Sequence, residues 1–284
     1  MESYNILTNK KEEISPTTIK RKTDNYIVSI PHSGIYIPLK VKDVINFNRG
    51  LLISSDLHTD KVYDVEKGVH ISFNINTSVV NPSRPRKGSD DKSLPLSLQH
   101  DPFSGTSLTK DLLRKKYFSK KQKEYLVKFY DEYHKALEDE IKKMKEKFGY
   151  ALIFDCHSMN SIALKNTPDE GKKRPDFNIG TLDDTSSSKE IISTYYKTLK
   201  KTAGNLTVKK NHPYKGGYIT KKYGKPSENI HVIQLEIKRS LFMNEGLNNE
   251  ENSFKINSGL TKIKSILSKT FEATAEKANA KAGI

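Results

Sequence analysis

Short apolar runs alternate with longer amphipathic stretches from about residue 26 to the end of the chain. Tyr26-Ile-Val-Ser-Ile30 is a β-branched run stopped by Pro31, the pattern of a buried strand. Ser54-Ser-Asp56 ahead of Val62 and Tyr63 predicts a capped helix that stops near Gly68. His70 to Val80 alternates β-branched with polar positions and predicts a second strand, closed by Asn81-Pro82. Residues 85–108 are rich in Pro, Gly, Ser and Asp without a period, and a connection of that length inside a domain usually carries function. From Leu108 to about Phe148 lysine and glutamate dominate, with Tyr125, Leu126, Phe129, Tyr133 and Leu137 on one side of a helical projection. The stretch reads as one long helix or two.

Tyr150-Ala-Leu-Ile-Phe154 is the strongest core strand, and it runs straight into Asp155-Cys-His-Ser158. Asp176 to Ile179 and Leu206 to Lys209 are shorter strand candidates, with a helix from Lys189 to about Lys201 between them and a Gly-Gly turn at 216–217. Ile230-His-Val-Ile-Gln-Leu-Glu-Ile237 is a clear strand, and a lysine-rich amphipathic helix from about Phe254 follows. Strands alternating with helices imply an α/β fold, a mixed but mostly parallel sheet flanked by helices on both faces. Residues 1–23, with their Lys-Lys-Glu-Glu and Lys-Arg-Lys clusters, read as a loose polar leader. Residues 24–284 then form a single domain, with no repeat and no linker to divide them.

Composition changes this picture little. The chain has 284 residues, enough for one sizeable core. Cys156 stands alone, so no internal disulfide can form. No window approaches the ~18 consecutive apolar residues of a membrane span, and the first residues lack the order of a secretion signal. A cytoplasmic setting without a membrane partner is the expectation. The net charge of +15 raises the question of a polyanion partner. Yet 42 of the 49 basic residues are lysines spread along helices and tails, the pattern of a solvated surface more than of a nucleic-acid site. The seven arginines are therefore the more informative cations, because a planar guanidinium forks a carboxylate.

The candidate chemistry collects at strand ends, where the loops of open α/β sheets splay apart. One strand ends in Pro31-His32-Ser33-Gly34, another in Asp155-Cys-His157-Ser158, and a third carries Gln234-Leu-Glu236. Two histidines and a carboxylate at one sheet edge suit zinc, which takes imidazole and carboxylate ligands and keeps a position open for water. Asp155 is placed to orient His157. Glu236, inside an apolar strand, needs a partner or a raised pKa.

These segments resemble the N-formylglutamate amidohydrolase family. The matching pieces are Pro31-His32-Ser33-Gly34, Ser55-Asp56-Leu-His58-Thr-Asp60 with Tyr63, Asn81-Pro-Ser-Arg84, Asp155-Cys-His157-Ser158, Arg174-Pro-Asp-Phe-Asn178-Ile-Gly-Thr181, Lys215-Gly-Gly-Tyr218-Ile-Thr220 and Gln234-Leu-Glu236-Ile237, running on to Met243-Asn-Glu245. They keep one order over residues 26–245. The family is similar in turn to zinc carboxypeptidases and aspartoacylases. The resemblance implies a phosphorylase/hydrolase-like fold, one Zn2+ ion held by two histidines and one acidic ligand, and hydrolysis of N-formyl-L-glutamate in histidine degradation.

His32 and His157 map onto the two histidines. The acidic ligand of the wider group follows its first histidine by three residues, where this chain has Ile35. Asp56 is the candidate substitute, with His58 and Asp60 as rivals within about one helical turn. The resemblance assigns Glu236 as general base and Arg84 as a catalytic and substrate-gripping arginine. It leaves Arg174, Asn178, Tyr218 and Arg239 as further substrate-binding candidates. The expected partner is a small acidic N-acyl amino acid. The arginine loop, Asn-Pro-Ser-Arg84, departs from the form Asp-Leu-Asn-Arg that is frequent in the histidine-pathway enzymes, which leaves the acyl group open. A nucleic-acid or surface-binding protein on an inactive hydrolase fold is the alternative of another class.

Overall fold

Every β-branched run read above as a strand forms one. A computed structural model describes residues 1–89, 96–104, 112–165, 167, 169–245 and 253–283. In chain order its elements are β1 (Glu2–Asn5), β2 (Lys11–Glu13), β3 (Thr17–Arg21), β4 (Ile27–Ile30), β5 (Tyr36–Pro38), α1 (Gly50–Ile53), α2 (Thr59–Val62), β6 (Val69–Phe73), α3 (Leu96–Gln99) and α4 (Lys120–Phe148). They continue with β7 (Ala151–Met159), β8 (Phe177–Gly180), α5 (Lys189–Ala203), β9 (Val208–Lys210), α6 (Tyr218–Tyr223), β10 (Ile230–Lys238) and α7 (Leu260–Ala282).

Among the described residues seven strands form the main sheet in the order β3-β6-β4-β7-β10-β8-β9. The pairs β6/β4, β4/β7, β7/β10 and β8/β9 are parallel, while β3/β6 and β10/β8 are antiparallel. Parallel strands in the middle of a sheet are buried on both faces, which is why β4 and β7 are apolar and wholly buried over their cores.

The two faces are covered by different helices. On one side Phe154 of β7 stacks on Phe271 of α7 at 3.9 Å and lies 5.6 Å from Tyr195 of α5. On the other, Tyr133 of α4 reaches Ser29 of β4 with its hydroxyl at 2.8 Å and meets Phe73 of β6 edge-on. Helix α4 forms because Leu126, Phe129, Tyr130, Tyr133, His134, Leu137, Ile141 and Met144 recur at helical spacing and bury one stripe. Ser119 and Gln122 close its N-terminus as a reciprocal capping box, and Gly149 ends it at φ 67°.

Four expectations are corrected. Residues 1–23 are not a loose leader: β1 and β2 pair with each other, β1 also pairs with β5, and β3 forms the edge of the main sheet. Their lysines and glutamates face water, as charges on edge strands do, so the segment reads as polar. The helix expected between Ser54 and Gly68 is only the single turn α2; α1 ends at Ile53, before it, and Asp56 sits in the bend between the two. The strand expected to reach Val80 ends at Phe73, and Asn76 then turns the chain by accepting hydrogen bonds from the N–H and hydroxyl of Ser78. Of the loop expected at 85–108, residues 90–95 and 105–108 lie outside the described residues, and the long helix begins at Lys120 instead of Leu108.

Candidate active site

The register of β7 and β10 sets the site. Gln234 pairs with Asp155 and Glu236 with His157, so on one face of the sheet His157 and Glu236 stand level, with Asp155 and Gln234 one pleat beneath them. Asn178 of β8 is level with Glu236 on the other side. His32 follows β4 directly, and the Asp56 N–H donates to the His32 carbonyl at 3.0 Å, which brings the bend between α1 and α2 against the sheet edge.

Three donor atoms from three segments converge there. His157 Nδ1 lies 3.2 Å from both His32 Nδ1 and Asp56 Oδ2, and His32 Nδ1 lies 3.3 Å from the same carboxylate oxygen. Tautomers follow from the outer partners. Asn81 Oδ1 accepts from the Ser83 N–H at 2.9 Å, so it is an acceptor for His32 Nε2 as well, also at 2.9 Å. The Nε2 of His157 lies 3.3 Å from the Asp155 carboxylate. Both rings therefore carry their proton on Nε2 and turn Nδ1 lone pairs towards Asp56. Two lone pairs and an anionic oxygen facing one another repel unless a positive charge sits among them.

The electrostatics agree. Burial opposes ionisation of Asp56, but the neighbouring imidazoles of His157 and His32 and the charge of Arg239 outweigh it and hold its pKa well below the carboxylate range. Burial would push His157 towards neutrality, yet Asp155, Asp56 and Glu236 overcome it and hold the imidazole well above its ordinary range. Both directions place positive charge among these groups. The pairwise separations also match the edge of a tetrahedron with metal–ligand bonds of ~2.0–2.1 Å, which is about 3.3 Å. His32, Asp56 and His157 fit a zinc-like ion in donor type, tautomer and spacing.

The two rivals of Asp56 lie elsewhere. His58 sits in the left-handed region at φ 63°, which turns its ring away, and its Nε2 bonds the Phe254 carbonyl at 2.7 Å. Asp60 is solvent-exposed in the first turn of α2, outside the converging group.

Glu236 is 8% exposed. Burial, reinforced by Asp56 and Asp155 and opposed by His157 and Arg174, pushes its pKa up to about 8. Gln234 Nε2 donates to Glu236 Oε1 at 3.1 Å. Beneath the strands, the Tyr63 hydroxyl contacts the carbonyls of His157 and Leu235 at 2.9 and 3.0 Å, tying β7 to β10 directly under the chemistry.

The predicted arginines divide by their partners. Arg239 is buried and all three of its nitrogens are committed, to the Ser158 hydroxyl, the Ile53 carbonyl and Asp56 Oδ1. Arg174 spends Nε and Nη2 on Asp169 and donates from Nη2 to the Tyr214 hydroxyl at 2.7 Å, which leaves Nη1. Arg84 is half-buried, and desolvation lowers its pKa to about 10. Its carbonyl accepts from Tyr130 on α4. Asn178 donates to the Tyr214 carbonyl and accepts from the His212 N–H, so it braces the 212–214 loop. Tyr218 opens α6 with its ring 5.8 Å from that of His134.

Sequence reasoning assigned no role to Asn81, Ser158, Tyr214, Gln234 or Thr220. Asn81 and Gln234 were visible as polar residues of the motifs that carry Arg84 and Glu236, but which side chain each supports depends on tertiary contacts.

Residues 24–243 match the model of the N-formylglutamate amidohydrolase family. The N-formylglutamate deformylase of Pseudomonas putida is 31% identical over 231 residues, 77% of this chain and 82% of that protein. That of Pseudomonas aeruginosa is 29% identical over 237 residues, 80% of this chain and 85% of its own length. Among solved structures, an N-formylglutamate amidohydrolase from Ralstonia eutropha JMP134 superposes with a TM-score of 0.75 at 22% identity, covering 95% of this chain and all of the other. A gene product of Agrobacterium tumefaciens shares the fold with a TM-score of 0.61 at 15% identity, over 95% of this chain and 97% of that one.

Proposed function

The chain belongs to the N-formylglutamate amidohydrolase family, and from that premise we propose that it hydrolyses N-formyl-L-glutamate, or a close N-acyl amino acid, with a divalent metal at His32, Asp56 and His157. One observation carries the reading: two Nδ1 lone pairs and a carboxylate oxygen converge at 3.2–3.3 Å beside a buried glutamate with a raised pKa. When bound there, zinc would supply Lewis acidity, lowering the pKa of water and polarising the amide carbonyl.

The remaining work falls to side chains of this chain. Glu236 accepts a proton from the attacking water and returns it to the amine nitrogen as the C–N bond breaks, giving formate and glutamate. A carboxylate with a pKa near neutrality can serve in both directions. Arg174, through Nη1, and Arg84 are the cations for the substrate's two carboxylates, and Arg84 can also face the tetrahedral oxyanion. Tyr218 borders the Arg84 side of the site. Arg239, with its nitrogens spent, holds Asp56 in place. Asn178 shapes the pocket by bracing Tyr214.

The basic surface supports a small-molecule partner over a polyanion. Lysines along α4 and α6 pair with acids, as in Lys135–Asp139, Lys142–Glu146 and Lys222–Glu138. Among the described residues no helix is long and apolar enough to cross a membrane. The same reading assigns one catalytic domain, which includes β1–β3, acting in the cytoplasm in histidine degradation.

The test is metal analysis of the purified protein together with release of the free amino acid from N-formylglutamate, N-acetylglutamate and a neutral N-formyl amino acid, with and without zinc. Bound or activating zinc and a preference for N-formylglutamate are expected. A metal-free protein that zinc does not activate would remove the metal centre, and a preference for the acetyl compound would replace the substrate.

A further inference from the structure

Gln234 and Glu236 stand two residues apart on β10, so both side chains rise from one face of the sheet. Both are buried, at 4% and 8% exposure. The orientation of the Gln234 carboxamide is decided by its neighbours. Its Oε1 accepts the backbone N–H of Gly217 at 2.6 Å, and a backbone N–H can only donate. The other end is then the NH2 group, which donates to Glu236 Oε1 at 3.1 Å.

Gly217 can reach Gln234 because Gly180 has no side chain. A Cβ on Gly180 would lie 2.8 Å from the Gly216 nitrogen and 2.9 Å from the Lys215 carbonyl carbon, so the Gly-Gly turn passes directly over β8. The same turn enters α6, whose Thr220 hydroxyl donates to Asp155 Oδ2 at 3.2 Å. Asp155 in turn faces His157. One short segment thus braces the two groups of the lower layer, Gln234 and Asp155.

We infer that Gln234 is a positioning residue that selects the working oxygen of Glu236: its amide occupies Oε1, leaving Oε2 as the oxygen that exchanges protons with water and amine. The inference rests on the proposed function, in which Glu236 is the base. Without the amide donor, the carboxylate can rotate about its last torsion, and the two oxygens become interchangeable in a site that has room for one at the reacting atoms. Substrate contacts are untouched by that rotation. The loss therefore falls on turnover and not on binding.

The experiment compares two variants of the zinc-supplemented full-length protein, read by formate release, zinc content and thermal midpoint. Gln234→Met keeps length and volume but removes both amide bonds. Its kcat should fall about 10- to 100-fold, the loss typical of a removed orienting partner, with KM within about twofold and zinc retained. Gln234→Glu keeps an acceptor for the Gly217 N–H and, once ionised, offers Glu236 no donor, so read above the pH at which the two carboxylates share a proton it should not restore kcat. Recovery of kcat in Gln234→Glu would overturn the inference, because bracing the Gly-Gly turn would then be the whole role. So would an unchanged kcat in Gln234→Met, or a loss confined to KM. Should Gln234→Met fail to fold, Gln234→Glu alone decides between the two outcomes. Failure of the proposed function looks different: the wild-type protein releases no formate, or Glu236→Gln keeps its turnover.

Discussion

Glu236 and His157 face each other across one register position of β10 and β7 with opposite electrostatic histories: burial lifts the carboxylate towards 8, and surrounding carboxylates outweigh burial to keep the imidazole basic. Replacing Glu236 by Gln keeps size and the hydrogen bond geometry of the lower layer but removes the proton acceptor. Turnover should fall about 10²- to 10⁴-fold while zinc content stays as in the wild type; substantial residual activity would assign the base elsewhere. Two histidines away from the chemistry set a pH dependence of stability. Burial lowers His134, between Tyr223 and the Pro82 carbonyl, to about 3, and His231, which accepts from the Ser188 N–H, to about 4. The unfolded chain titrates both near 6.5, so below that pH it binds more protons than the fold does. Their contribution is complete above about pH 6.5 and is lost as the pH falls towards 4 and then 3. Thermal midpoints measured from pH 7.5 to 4 should decline through this window, and His231→Gln should flatten the decline; equal slopes in the two proteins would count against it.

Helix α4 shows how an element reaches the site without entering it. Its buried stripe carries His134 and Tyr130, whose hydrogen bonds to the carbonyls of Pro82 and Arg84 hold the loop that presents both Asn81 to His32 and the Arg84 side chain. The cap at its far end is independent of that contact. Ser119→Ala removes one half of a capping box and should cost about 1 kcal/mol, seen as a thermal midpoint lower by about 2–4 °C, with kcat and KM unchanged. The periodicity of α4 was legible in the sequence because its stripe is continuous. The bend at Asp56 was not, because the helix signal there came from a capping pattern, whereas the left-handed His58 delays the helix to the single turn α2.

For the molecule as a whole, the site lies at the carboxyl ends of β4, β7 and β10, three adjacent parallel strands, the position that open α/β sheets reserve for ligands. That geometry depends on the sheet being closed at its edge by β3, which also places Arg21 in an ion pair with Glu140 of α4. Deleting residues 1–23 would bare the edge of β6 and break that pair. The truncated protein should melt more than about 5 °C lower, the equivalent of one to two kcal/mol, and should aggregate more readily. A midpoint equal to that of the full chain would show these strands to be dispensable.

Taken alone, the sequence determined the α/β class, the strand positions and the residue types of the site, because burial and period leave marks along the chain that need no partner to be read. His32, His157 and Glu236 stood out as polar residues at or within apolar runs. Tertiary structure decided the rest. It brought Asp56 to the converging group while turning His58 away and leaving Asp60 at the surface, drew Arg239 under Asp56, and paired strands within the polar first 23 residues. It also aimed both Nδ1 atoms at one point, through outer partners as distant in the chain as Asn81 and Asp155. The physical reason is common to all four: each depends on which atoms satisfy a polar group, and those partners meet only when strands distant in the chain pair.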